Sequence, residues 1–347
     1  MTRSGRSINL SSSKYLFSLL PALITIAGNL AGSYFTLGNF FFTFVLLVVA
    51  DMFAPKDRSE PQEQSNMLPD FILMLAVIFH TLAIASLFYG ILSGVIHSQF
   101  IWFAAISTGL NAGLLGINSA HELIHRREKV MQNLGIWNLF LVCYSHFYTE
   151  HRLVHHVKVG TAEDPATARY RESLYSFWLR TIPGQFISAL HTDASRQKRK
   201  NQVAYGFHNF TLRATLLQVV FIMFLAIVFS PVIAGAFVVQ SLVAILLLEY
   251  VNYIEHYGLV RADGVVVGKE HSWQSDAITS RFTLFELTRH SDHHMLAYKP
   301  YHTLESHEES PELPFGYFGM FYIALLPPLF FKMMDKVMPD PRIEQNV

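Results

Sequence analysis

The chain has 347 residues, of which 51% are hydrophobic, 14% aromatic and only 15% charged, with 26 Lys and Arg balanced by 26 Asp and Glu. That charged fraction lies well below the ~25% of soluble domains, and zero net charge offers no basic face to nucleic acid. A lone cysteine, Cys143, excludes a disulfide framework, a cysteine-ligated zinc and any built-in iron–sulfur module. Composition therefore points to an integral membrane protein.

Residues 15–50 carry no Asp, Glu, Lys or Arg, and neither do 71–120 or 214–248, blocks of 36, 50 and 35 residues. The first apolar run is too long for the core of a cleavable signal. One spanning helix needs ~20 residues at ~1.5 Å rise each, so every block holds two. Turn-prone residues near the middle of the blocks are Gly38-Asn39, Gly90 to Gly94 and Ser230-Pro231. They divide the blocks into helices at 15–35, 38–53, 69–90, 100–120, 212–229 and 232–252. The expected fold class is an all-α integral membrane protein with six transmembrane helices in three hairpins, read as a single domain over 1–347. Hairpins return the chain to the side it came from, so all 26 Lys and Arg fall on one face, which the positive-inside rule makes cytoplasmic. Both termini and the stretches 121–211 and 253–347 follow to that side. The 54–68 connector reads as a solvated linker. A further apolar run, Met320 to Phe331, is short and broken by Pro327-Pro328, and is expected to pack at the membrane surface.

Seventeen histidines are many, and they cluster beside the ends of the charge-free blocks. The groups are His121-Glu122-Leu123-Ile124-His125, Glu150-His151-Arg152-Leu153-Val154-His155-His156, and Arg289-His290-Ser291-Asp292-His293-His294, with Asn252-Tyr253-Ile254-Glu255-His256-Tyr257-Gly258-Leu259 between the last two. On a helix, spacings of three and four put side chains on one face, which His121/His125, His151/His155 and His290/His293/His294 satisfy. Imidazole ligates metal in its neutral form, and its other ring nitrogen needs a carboxylate or carbonyl to fix the tautomer. Glu122, Glu150, Glu255 and Asp292 each adjoin a candidate ligand, and Asp164 follows the second group. Nine histidines exceed what one ion accepts and suit two ions with four or five imidazoles each. Spacing alone leaves zinc, copper, iron and nickel open. His80, His97, His146, His191, His208, His302 and His307 stand apart and read as ordinary polar residues.

Two other classes fit part of the pattern. His121-Glu122-Leu123-Ile124-His125 matches the zinc-protease arrangement of two histidines and a general-base glutamate, but one zinc with three protein ligands leaves six clustered histidines without a role. A metal transporter would place its ligands near the bilayer midplane, whereas these follow the helix ends.

At these residues the sequence resembles the membrane-bound alkane monooxygenases, a branch of the histidine-rich di-iron hydroxylases and desaturases, from about residue 15 to residue 338. The most specific segments are His121 to His125, Glu150 to His156, Asn252 to Leu259 and Arg289 to His294; Asp164-Pro165-Ala166-Thr167, His271-Ser272-Trp273 and Leu313-Pro314-Phe315-Gly316-Tyr317 are similar too. Val154, Arg126 and Met295-Leu296-Ala297-Tyr298 depart from the usual pattern without removing a ligand. The resemblance implies that two non-haem iron ions are bound by His121, His125, His151, His155, His156, His256, His290, His293 and His294. It implies oxygen-dependent terminal hydroxylation of an alkane, with the xylene side-chain monooxygenases and fatty-acyl desaturases as related alternatives. Glu122, Glu150, Glu255, Asp292 and Asp164 are expected to hold imidazoles without ligating iron. The family draws electrons from a separate rubredoxin and its NAD(P)H-dependent reductase, for which Arg126-Arg127-Lys129 and Arg196-Lys198-Arg199-Lys200 are candidate landing patches. Phe40 to Phe42 and Phe44 are candidate limits on chain length.

Overall fold

The computed structural model describes residues 10–61, 67–262 and 264–339. Residues 62–66 of the expected linker lie outside them. The described residues form helices and no strand, with isolated bridges only at Lys56–Ala277 and Gln274–Glu312. Six helices are long and apolar enough to cross a membrane: α1 (Ser12–Ala31), α2 (Ser33–Met52), α3 (Leu68–Leu92), α4 (Ser98–His125), and, after the connecting helices, α8 (Phe210–Phe229) and α9 (Pro231–His256). The chain is a multi-pass membrane protein. Between α4 and α8 lie α5 (Lys129–Leu141), α6 (residues 147–158) and α7 (Leu174–Arg199). After α9 come α10 (Ile278–Thr283), α11 (His290–Met295), α12 (Tyr317–Ala324) and α13 (Pro327–Met334).

The turn of the first hairpin differs from expectation. It falls at Gly32-Ser33, where both residues take positive φ, whereas Gly38 is helical at φ −55°. A Cβ on Gly32 would lie 2.1 Å from the Val95 carbonyl oxygen, so only glycine fits that turn. Gly38 instead lets α2 approach the Ile24 side chain of α1. In the third hairpin Ser230 caps α9, accepting from the Ile233 N–H at 3.2 Å.

Polar side chains join the helices where water is absent. Asn29 donates to Ser86 and Thr108, Asn39 to the Ser107 carbonyl, and Gln240 to the Leu141 carbonyl. Such contacts contribute ~0.6 kcal/mol each inside a membrane, so close packing carries much of the association. Gly109 and Gly113 bring α4 onto α9: a Cβ on Gly109 would lie 2.6 Å from the Gln240 carbonyl oxygen, and one on Gly113 2.8 Å from Leu247 Cδ1.

Both α4 and α9 run past their expected ends, to His125 and His256, so the first and third histidine-bearing segments are the last turns of spanning helices. The late apolar run does more than lie at a surface. Tyr250 of α9 donates to the Tyr317 carbonyl at 2.5 Å, and Tyr322 donates to the Phe44 carbonyl of α2. Asp51, buried at the end of α2, accepts from the N–H groups of Ser280 and Gly319 and from the Ser280 hydroxyl. That single carboxylate fastens α10 and α12 to α2.

Candidate metal centre

Nine histidines converge in two groups whose ligand atoms lie within 4.8 Å of one another. His121, His125, His151, His156 and His293 form one group, and His155, His256, His290 and His294 the other. Helices α4 and α9 deliver the first and third motifs from their final turns. The second motif is π-helical over His151–His155, which widens the repeat. His151 therefore meets His156, Nε2 to Nε2 at 3.0 Å, and His155 turns to the other group. The sequence motif alone pairs His151 with His155. α11 is divided likewise: His293 faces His156 at 3.1 Å, while His290 contacts His256 at 3.2 Å and His294 at 2.9 Å.

The donor set fits metal ions. The Nε2 atoms of His121, His125 and His155 are buried without a hydrogen-bond partner, and those of the other six point at one another. Burial first, and neighbouring imidazoles second, hold His151, His156, His290, His293 and His294 well below the usual histidine range, so they are neutral ligands at pH 7. Nine converging imidazoles, and no cysteine, suit borderline first-row ions.

The five carboxylates occupy different environments. Asp164 Oδ2 accepts from His155 Nδ1–H at 2.9 Å and from the Thr167 hydroxyl at 2.6 Å. Burial would raise its pKa, but His155 and these hydrogen bonds outweigh that and hold it below the ordinary value. Glu255 lies on the inner side: Oε2 is 3.2 Å from His290 Nε2, and Oε1 accepts from the Tyr317 hydroxyl. Glu150 is buried and neither oxygen has a partner; burial, then Asp164 and Glu249, push its carboxyl well above the usual range. Glu122 and Asp292 bond no imidazole of the nine. Glu122 pairs with Arg126 at 2.9 Å and accepts from the Tyr301 N–H, which removes it from the general-base position a zinc protease requires. Asp292 is bridged by Lys299, His307 and the Glu305 N–H, so it organises the loop that follows α11. His307, read as an ordinary polar residue, thus belongs to the frame of the site.

Two further carboxylates were not singled out from sequence. Asp51 is described above. Glu249 accepts from Tyr144, Thr181, Gln185 and Asn252 at 2.7–3.2 Å. Each is the first charge after a charge-free block, and an ionisable residue at that depth is costly unless it is used.

Beneath the histidines opens an apolar cavity. His121, His151, His290 and Glu255 line it, with Asn118 and Asn252 beside them. Thr43, Phe44 and Val48 of α2, Gly113, Leu114 and Ile117 of α4, Leu247, Leu248, Tyr250 and Val251 of α9, and Tyr317, Phe318 and Phe321 of α12 line the apolar remainder. Of the four phenylalanines considered from sequence, only Phe44 lines this wall; Phe40 and Phe41 are exposed on the outer surface, and Phe42 packs against the core.

Comparison with known proteins agrees with this architecture. The fatty acid desaturase family model matches residues 96–324. Alkane 1-monooxygenase 2 of Pseudomonas aeruginosa is 37% identical over 306 residues, covering 84% of this chain and 81% of the relative. Alkane 1-monooxygenase of Acinetobacter baylyi is 34% identical over 356 residues, covering 96% and 86%. The xylene/toluene monooxygenase hydroxylase component of Pseudomonas putida is more distant, 26% identical over 299 residues, with 85% and 80% covered. With its histidine groups gathered at the ends of α4 and α9 above an apolar cavity, this chain belongs to the fatty acid desaturase family and, within it, to the alkane 1-monooxygenases.

Proposed function

We propose that this protein hydroxylates the terminal carbon of medium- to long-chain n-alkanes, using dioxygen and giving 1-alkanols and water. Two non-haem irons are held by the nine histidines, one by His121, His125, His151, His156 and His293, the other by His155, His256, His290 and His294. The observation that carries this reading is the junction of those two groups with an apolar cavity inside the helical bundle. When bound, the irons supply the activation of dioxygen and the oxidation of an unactivated C–H bond.

The chain's own residues do the rest. An alkane leaves the bilayer for an apolar cavity, so the ~0.8 kcal/mol per methylene that drives it out of water is gained already in the lipid. Binding is then selected by shape, and the cavity walls point a chain end toward His121, His151 and His290 while excluding water. Asp164 fixes the His155 tautomer so that Nε2 faces the ion. Glu255, gripped by Tyr317, borders the ion space at His290.

Two electrons come from a separate rubredoxin reduced by an NAD(P)H-dependent reductase, since one cysteine cannot build a four-thiolate site. His125 and His156 are the half-exposed members of their group, and Arg126, Arg127 and Arg152 surround them, which supports an acidic carrier docking there. The one-sided distribution of all 26 Lys and Arg supports a cytoplasmic site in the inner membrane.

The test is product analysis. The protein, a rubredoxin and its reductase are supplied with alkanes of several lengths and xylene under heavy-isotope dioxygen, and products are identified by mass spectrometry. A primary alkanol with one labelled oxygen is expected. An unlabelled alkene, a benzylic alcohol as the preferred product, or zinc-loaded protein without product would each overturn the proposal.

A further inference from the structure

Helix α7 is 26 residues long and is capped by Ser173, whose hydroxyl accepts from the Ser176 N–H. It is not among the helices apolar enough to span, and the reading from sequence places it in the cytoplasmic stretch 121–211. Its contacts tie it to the membrane helices. At its start the Tyr175 hydroxyl donates to the Leu325 carbonyl between α12 and α13. In its middle Thr181 and Gln185 donate to Glu249. That residue lies seven positions before the end of α9, roughly 10 Å inside the span at ~1.5 Å per residue. Near its end Asp193 accepts from the N–H and hydroxyl of Thr211, the second residue of α8. α7 is thus pinned at three points to elements of the membrane domain, with Thr181 and Gln185 on its buried face.

The opposite face is apolar. Tyr175, Leu179, Pro183 and Ile187 recur every four residues and all are exposed, Leu179 at 82%. In water such a stripe is unfavourable, whereas acyl chains would accommodate it. The stripe is continuous with the exposed Tyr322, Leu326 and Leu329 beside its first turn. Beyond its last turn, Val203 and Phe207 are each 76% exposed, and the Arg213 guanidinium stands 5.4 Å above the Phe207 ring. Arg196, Lys198, Arg199 and Lys200 sit between stripe and loop. Apolar stripe, aromatic loop and a basic end form the pattern of a helix lying in the membrane plane.

We infer that α7 is embedded in the plane of the bilayer, its Tyr175–Ile187 stripe buried among acyl chains and its basic end resting on anionic headgroups of the same leaflet. The embedding braces the site as well. Glu249, held by α7, also accepts from Asn252 at 3.1 Å, and Asn252 lines the cavity.

The test uses the full-length protein in nanodiscs of mixed phosphatidylcholine and phosphatidylglycerol. Spin labels are placed at Leu179→Cys, Ile187→Cys and Glu309→Cys in a Cys143→Ser background; all three positions are exposed, so labelling does not perturb the core. The ratio of oxygen to nickel-complex accessibility at 179 and 187 is expected to exceed that at 309 by fivefold or more. Equal ratios would overturn the inference and make the stripe a face for a protein partner. For the basic end, an environment-sensitive dye at Phe207→Cys should shift to the blue as phosphatidylglycerol is added. The combined Lys198→Gln, Arg199→Gln and Lys200→Gln changes should abolish that dependence, and an unchanged response would overturn the headgroup assignment.

Discussion

Replacing Asp164 with asparagine separates the two histidine groups experimentally. Asp164 is buried, and its two oxygens serve three donors: Oδ2 accepts from His155 Nδ1–H and the Thr167 hydroxyl, Oδ1 from the Ala166 N–H at 3.0 Å. An amide has one acceptor oxygen. Turned toward His155, it keeps the bond but loses the charge that roughly doubles its strength, and its NH₂ then faces the Ala166 N–H. Turned the other way, it presents a donor to a donor at His155. Loss of a carboxylate partner behind a ligand imidazole costs 10- to 100-fold in metal affinity, or about 1.4–2.7 kcal/mol, and the first orientation corresponds to the lower end. Only one of the nine histidines touches Asp164, and it belongs to the group with His256, His290 and His294. The expected outcome for Asp164→Asn is a folded protein that releases one ion to a competing chelator 10- to 100-fold more readily than the other. Metal content would be followed by plasma mass spectrometry against chelator concentration, with a thermal melt to confirm folding. Release of both ions in parallel, or of neither, would refute the assignment of His155 to a separate ion and of Asp164 as its support.

Further outcomes follow from the same geometry. His151, His156, His290, His293 and His294 are kept neutral by burial, so their folded pKa values lie below the unfolded value of about 6.5; the unfolded chain takes up protons that the folded one refuses, and stability falls as pH drops below ~6.5. Melts of chelator-treated protein should show a falling Tm from about pH 6.5 downward, and a flat profile would contradict the neutral assignment. The Phe44 and Phe321 rings pack tilted against each other, centroids 4.9 Å apart, on the cavity wall, so Phe44→Ala and Phe321→Ala should shift product profiles toward longer alkanes, whereas Phe40→Ala and Phe41→Ala, on the outer surface, should not. A Cβ on Gly316 would lie 2.2 Å from the Asp51 carboxylate; Gly316→Ala should therefore cost about 1–3 kcal/mol, read as a lowered Tm, and an unchanged Tm would remove Asp51 as the clasp between α2 and α12. Neither Glu150 oxygen bonds an imidazole, so Glu150→Gln should leave metal content unchanged, and loss of an ion would assign it a place at the site.

By itself the sequence determined those features that depend on local pattern. Charge-free blocks long enough for two spans produced six helices, because a buried charge in lipid is too costly to occur by chance. Histidine spacing and position at the helix ends brought out the nine side chains, since a metal site needs neutral imidazoles in reach of one another. Tertiary structure decided how they divide. A π-turn over His151–His155 exchanged the partners within one motif, and the packing of α11 between α4 and α9 sent His293 one way and His290 and His294 the other. Carboxylates followed the same rule: adjacency in sequence nominated Glu122 and Asp292, but the distant Tyr301 N–H, beside the local Arg126, took up the first, and Lys299 and His307 the second. The cavity and the setting of α7 are likewise products of packing. Each depends on residues far apart in the chain, such as Asp51 with Gly319 and Glu249 with Gln185, whose meeting no local period encodes.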